Sequence, residues 1–344
     1  MGGVCDLEWW SGKDGDCVPV ACELQSAKVA VRASKNETGK KEIVLNGFSG
    51  QATILAVDDI LNIEPVDCIG VGSFLAHAVA FAYRYLSANY NGIDLYSGGI
   101  DIQANPSAAK GLGGSSAVAA CVFLAVLGLF TGNKTDAIPP HDLIRSVIGI
   151  EKNAGVGGGW EDIAGIILPG INKVSYRPGK SALPVSITPV VCGAGTMAAL
   201  QDQLLLFDSM VPASTGMILN GAYSMYKQNP DMVICCTDSI RSECDIVIKA
   251  LLSGDVAPIG GSLSRQRNEW DKITGGLGRS YEVDSILEGA GSHITGYREA
   301  GAGGGGTVTV VCKTGMTGLV RQALAEKGYS TIPWKVSDKG ICVE

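Results

Sequence analysis

Apolar positions recur at helical spacing over Gly72–Leu86, Ser115–Leu129 and His141–Asn153, whereas β-branched stretches fall at Val29–Ala33, Glu42–Leu45 and Ile93–Ile102. The first half therefore alternates strands with amphipathic or fully apolar helices. The stretch Lys173–Pro184, with two prolines and three basic residues, reads as a connector. Beyond it, strands are expected at Val185–Val191, Gln203–Phe207 and Thr307–Val311. Helices are expected at Thr215–Lys227, Ser239–Ser253, Val283–Ala290 and Gly318–Gly328. This order predicts an α+β protein with two layers in each domain.

Composition narrows the function classes. A chain of 344 residues that is 46% apolar and 18% charged has enough apolar surface to fold. Its formal net charge of −7 leaves no cation excess for a nucleic-acid backbone or an anionic membrane, so neither is an expected partner. The apolar run Ala117–Phe130 is 14 residues long, short of the ~20 needed to cross a bilayer. It reads as a core helix. The start, Met1-Gly-Gly-Val-Cys-Asp6, lacks a signal-peptide pattern. Eleven cysteines without a C-x-x-C pair suit reduced, buried thiols, and together these point to the cytoplasm. Three scattered histidines offer little material for a zinc site or a serine-histidine-aspartate triad.

The chemistry concentrates where the 47 glycines cluster: 111–114, 155–159 and 301–306. In Lys110-Gly111-Leu112-Gly113-Gly114-Ser115-Ser116-Ala117, glycines and paired hydroxyls run straight into an apolar helix. The first turn of a helix carries unpaired N–H groups and about half a unit of positive charge, which suits phosphate oxygens. Ser115 and Ser116 are placed to cap the helix, bond a phosphate or help position Mg²⁺. A plain glycine turn with serine caps would satisfy the same string. It is not a Walker A loop, because Lys110 precedes the glycines instead of following them.

The second cluster runs from Glu151 through the glycine-rich 155–159 to Trp160-Glu161-Asp162. Sharp folding of that glycine run would bring both carboxylates to one cleft. An aspartate near an acceptor hydroxyl and a glutamate on Mg²⁺ are parts that phosphoryl transfer needs. The alternative is a surface glutamate and a turn aspartate. The third cluster, Gly301-Ala-Gly303-Gly304-Gly-Gly306, also fits G-x-G-x-x-G, but it precedes the β-branched run Thr307–Val311 where a dinucleotide site requires a helix. It reads as a loop bracing the phosphate loop, or as a tight turn.

Pro106, the 111–116 loop, Glu151, Gly157-Gly-Gly-Trp-Glu-Asp162 and the 301–306 glycines, in that order, resemble the three motifs of the GHMP kinase superfamily. The Gly-Gly-Gly-Trp-Glu-Asp version is most similar to the branch that contains L-fucokinase and heptose-phosphate kinases. Pro169-Gly-Ile-Asn and Leu251-Leu-Ser-Gly-Asp255 followed by Gly260 add to that likeness. The resemblance implies an N-terminal domain like domain 2 of ribosomal protein S5 over residues 1–178, which binds ATP, and a ferredoxin-like domain over 179–344. It implies an ATP-dependent kinase acting on a sugar or sugar phosphate, with the anomeric hydroxyl as the expected acceptor. Asp162 then matches the catalytic aspartate, and Glu151 and Ser116 match the Mg²⁺ ligands. Residues 111–116 match the ATP phosphate loop, with Lys110 ahead of it as a candidate phosphate contact or a solvated lysine, while Asp6, Trp160, Gly303 and Gly304 fall to the substrate. A homodimer is compatible with this picture.

The match has departures. Family members begin upstream with a strand carrying proline and arginine, whereas Met1 here directly precedes Gly2-Gly3, so the first strand is expected to be missing. Ile163 and Glu161 stand where the branch has glutamines on either side of the aspartate, which adds negative charge beside Asp162. The alternatives left open are a catalytically weak sugar or nucleotide binder on the same scaffold, and a kinase for another small alcohol such as heptose phosphate or phosphomevalonate.

Overall fold

Among the described residues, four strands form the sheet of the unit that carries Gly113–Ser116. In the computed structural model, Gly99–Asn105 lies between Lys28–Ser34, to which it is antiparallel, and Glu42–Asn46, to which it is parallel, with Ala52–Ala56 antiparallel on the outer edge. The structure describes residues 3–4, 15–23, 28–34, 42–46, 52–56, 71–90, 99–105, 112–132, 138–154, 159–177 and 185–341. The chain is organised as two compact units that interleave in sequence. One comprises Gln25–Ala108, Gly113–Leu168 and Lys339–Glu344, and the other Met1–Leu24, Ala109–Leu112 and Pro169–Asp338.

Among the described residues, four helices accompany the sheet in the first of these units: Val71–Asn89, Gly114–Thr131 (the serine helix), Pro140–Asn153 (the glutamate helix) and Trp160–Ile167 (the aspartate helix). The serine helix is apolar nearly all round, as expected of a helix buried in a core and not one lying on a surface. By length and composition it is apolar enough to span a membrane, yet 56% of it is buried inside the protein. It packs on the helix Val71–Asn89 through the pairs Tyr83–Phe130 and Tyr85–Phe123, both with ring centroids 5.6 Å apart. The glutamate helix starts with a proline in its first turn, where the missing N–H costs nothing, and buries Leu143, Ile144, Val147 and Ile150 along one stripe.

The other unit holds two four-stranded antiparallel sheets. In one the order is Gly3–Val4, Gly15–Cys17, Asn172–Tyr176, Val185–Pro189. In the other it is Ile294–Glu299, Thr307–Cys312, Leu204–Asp208, Thr331–Ile332. The long helix Pro230–Ser253 packs on Ala257–Ile273, which lies against the strand Ile294–Glu299. A Cβ on Gly296 would stand 2.0 Å from the Gly260 carbonyl oxygen, so glycine at both positions is what permits helix and strand to touch.

The α+β class is as expected, with some differences in the elements. The expected connector at Lys173–Pro184 is, in its first part, the strand Asn172–Tyr176. Two of its three basic residues are paired, Lys173 with Asp245 at 3.0 Å and Arg177 with the buried Asp16 at 2.9 Å, and the rest of the expected connector, 178–184, lies outside the described residues. The helix expected from Ser239 begins at Pro230. Cys17, Cys236, Cys244 and Cys312 are buried, and Cys235 is exposed where a buried thiol was expected.

Candidate active site

The serine helix opens at Gly113, which adopts φ 73°, in the left-handed region that favours glycine. Its first intrahelical donor is Ala117, whose N–H bonds the Gly113 carbonyl at 2.9 Å. Gly113 has no side chain to cap the N–H groups of Gly114, Ser115 and Ser116 ahead of it. Space is also tight there. A Cβ on Gly113 would lie 2.7 Å from Ile166 Cδ1 and 3.6 Å from Asp162 Cβ, so the aspartate helix rests directly on the glycine.

Glu151 follows Val147 by four residues and so continues the buried stripe of the glutamate helix. The amphipathic pattern that buries the helix also buries this carboxylate, which is 1% exposed. Both serine hydroxyls donate to one of its oxygens: Ser116 Oγ to Oε1 at 2.6 Å and Ser115 Oγ to Oε1 at 3.1 Å. The other oxygen, Oε2, is buried and has no hydrogen-bond partner among the described residues. Burial pushes the carboxyl above its ordinary range. The two serine bonds oppose that rise, and the charge of Asp162 adds to it.

Asp162 lies in the first turn of the aspartate helix, whose cap Gly159 is extended. Trp160, Ile163, Ala164 and Ile167 form that helix's buried stripe. The Trp160 ring, assigned to substrate from the sequence, is 7% exposed and belongs to this inward face. Ile163, which replaces a glutamine of the resembled branch, is fully buried on the same stripe.

This set has the chemistry of a divalent-cation and phosphate site. Mg²⁺ takes oxygen ligands, keeps several waters, and is commonly held by one or two carboxylates together with substrate phosphates. A buried carboxylate with one orphaned oxygen and two hydroxyls on the other fits that habit. Among the described residues no group of three or more His, Cys, Asp or Glu gathers into a larger cage.

The remaining predicted residues fall elsewhere. Asp6, Lys110 and Gly111 lie outside the described residues. Leu112 is half-buried and belongs to the other unit, where it packs against a core cluster that includes Leu204, Leu206 and Val311. Gly303 and Gly304 sit in a turn of that unit with φ 84° and 74°. Their N–H groups are engaged there, Gly303 with the Ala300 carbonyl at 3.3 Å and Gly304 with that of Gly278 at 3.0 Å. Ile166, which the sequence reading passed over, bears on the phosphate loop. Its signal is the i+4 spacing from Asp162, which puts both on one face.

Residues 74–170 match the family profile described as GHMP kinases N terminal domain. The chain is 25% identical over 254 residues to a bifunctional fucokinase/GDP-fucose pyrophosphorylase of Arabidopsis thaliana, covering 74% of this chain and 23% of that protein. It is 23% identical over 242 residues to an L-fucokinase/L-fucose-1-P guanylyltransferase of Bacteroides fragilis, covering 69% and 25%. The chain thus spans about a quarter of the length of these curated relatives. Among solved structures it is similar to a D-glycero-D-manno-heptose 1-phosphate kinase from Bacteroides thetaiotaomicron, with a TM-score of 0.67 and 15% identity over 97% of this chain and 91% of that one. At that identity the likeness is one of fold.

Proposed function

We propose that the protein is an ATP-dependent sugar kinase, a reading supported by the match of residues 74–170 to the GHMP kinases N terminal domain profile and by the likeness in fold to a solved sugar-phosphate kinase. It transfers the γ-phosphoryl group to a sugar hydroxyl, with the anomeric hydroxyl as acceptor. The observation that carries this reading is Glu151. Its Oε1 accepts from Ser115 and Ser116 at the start of a helix while its buried Oε2 is left without a partner, and Asp162 stands beside the same helix start. The fucokinases among the relatives support the choice of a sugar.

In this reading the uncapped N–H groups of Gly114, Ser115 and Ser116 bind phosphate oxygens at the positive end of the serine helix. Glu151 and Ser116 hold Mg²⁺, which when bound neutralises charge on the β- and γ-phosphates. Asp162 orients the acceptor hydroxyl and accepts its proton as the oxygen attacks phosphorus. The bond from phosphorus to the β–γ bridging oxygen breaks, and ADP leaves. Ile166 holds the aspartate helix against Gly113, so that Asp162 stays in register with the phosphate loop.

The test is ATP consumption by the purified chain against a panel of free sugars and sugar phosphates, with Asp162→Ala as the control. Sugar-dependent turnover that disappears in the control supports the kinase. Sugar or nucleotide binding without turnover across the panel would replace it with the binding-protein reading.

A further inference from the structure

Glu151 is placed by packing on the opposite side of its own helix. The helix Val71–Asn89 touches both of the helices that supply the Glu151–serine contact. Through Tyr83 and Tyr85 it is fixed to Phe130 and Phe123 of the serine helix. Through Phe81 it meets the glutamate helix at Gly149, where a Cβ would stand 2.6 Å from Cε1 and 2.8 Å from Cζ of the phenyl ring. Both distances are below any that real Cβ atoms tolerate, so the ring occupies the space a side chain would need. One helix thereby serves as a common reference for the hydroxyls and for the carboxylate.

The direction of the constraint follows from helix geometry. Gly149 and Glu151 are two residues apart, about 200° around the helix axis. A push against Phe81 at Gly149 is therefore delivered to Glu151 toward the opposite side, where the Ser116–Oε1 distance of 2.6 Å has no slack for compression. The ring is rigid and gives way only by swinging as a whole about its Cα–Cβ bond. Resting on the reading of Glu151 as a cation ligand, we propose that the Phe81 ring seated on Gly149 sets the depth of the carboxylate, making Gly149 a positioning residue for the Mg²⁺ site.

The experiment titrates Mg²⁺ into the full chain with a fluorescent ATP analogue and reads the half-saturating metal concentration, with thermal unfolding recorded in parallel. Gly149→Ala should raise that concentration about tenfold, the lower end of what outer-shell changes cost a metal site. The double variant Phe81→Ala/Gly149→Ala, which vacates the space, should return to within about twofold of the parent because the two sites are coupled. A purely structural glycine would lower the unfolding temperature and leave the metal dependence of the folded protein unchanged, which overturns the proposal. A folded double variant that keeps a tenfold defect also overturns it. Glu151→Gln separates the two readings. If it weakens the metal dependence and Gly149→Ala does not, only the positioning inference falls; if Glu151→Gln has no effect, the cation reading falls and takes this inference with it.

Discussion

Removing the Ser116 hydroxyl should destabilise the metal-free protein by an amount that grows with pH. The hydroxyl donates at 2.6 Å to Oε1 of Glu151, a carboxylate that is 1% exposed. A hydrogen bond between neutral groups contributes about 0.5–1.5 kcal/mol, whereas one to a charged group contributes about 1.5–3 kcal/mol. Ser116→Ala should therefore cost about 1 kcal/mol in acid, where Glu151 holds its proton, and about 2–3 kcal/mol once the pH has passed its raised folded-state pKa. The groups facing Glu151 are Ser115, Ser116 and Asp162. Its folded-state affinity for a proton exceeds the unfolded one, chiefly through burial and further through the Asp162 charge. Its contribution to stability is then fully present below the unfolded pKa and is lost as pH rises through the folded one. Ser116→Ala removes an interaction that favours the charged form, so the variant loses more over that same window.

The assay is urea unfolding of parent and variant in a metal chelator, at intervals from pH 4.5 to 8. Taking the difference between the two proteins cancels carboxylates that Ser116 does not touch. In a Glu151→Gln background the cost of Ser116→Ala should flatten to about 1 kcal/mol at every pH. A difference between parent and variant that stays level across the range would refute the reasoning, since it would mean the hydroxyl does not distinguish the two protonation states of Glu151.

Two further outcomes test the site and the fold. Asp162→Asn should lower kcat by about 10²–10⁴-fold while nucleotide affinity stays close to the parent value, because its part lies with the acceptor hydroxyl; an equal loss of nucleotide affinity, measured by calorimetry, contradicts that role. In the other unit, Glu299→Ala should destabilise by about 3 kcal/mol in urea unfolding, the lower end of the cost of breaking a buried pair, because the buried Arg267 loses the carboxylate it holds at 2.6 and 2.7 Å while keeping Asp284 at 2.7 Å. Pairing the change with Arg267→Met should recover much of the loss, and a double variant as unstable as the single one would show that the pair is not the cause.

The parts of the site that lie on long helices were legible because burial writes a period into them. The stripe Leu143, Ile144, Val147, Ile150 announces the glutamate helix, and the apolar run after Ser116 announces the serine helix. The aspartate helix has only eight residues after a glycine run, too few turns for its stripe of Trp160, Ile163, Ala164 and Ile167 to stand out. The helix Ala257–Ile273 was hidden for another reason. Pro258, Gly260 and Gly261 look like a turn, but the proline is in the first helical turn and Gly260 serves the close approach to Gly296. Nor does any local pattern announce that Gly15–Cys17 pairs with Asn172–Tyr176. That strand exists because distant residues complete it, with Asp16 accepting from both Ser175 and Arg177.

The same periodicity that made Glu151 visible also explains why its environment is unusual. A helix cannot bury Val147 and Ile150 without carrying the next residue of the stripe inward, and here that residue is a carboxylate. An apolar side chain at that position would settle against the core at no electrostatic cost, so a stability argument alone gives no reason for glutamate. The serines offset part of the burial by donating to Oε1, and they do so from the first turn of a helix whose free N–H groups already favour anions. Oε2 remains without a donor among the described residues. A side chain that is costly where it stands, half satisfied and aligned with an anion-binding helix start is better accounted for by a cation shared with phosphate than by any contribution to folding. Gly149 extends the argument, because its small size lets Phe81 hold the glutamate helix at the depth where that half-satisfied state is maintained.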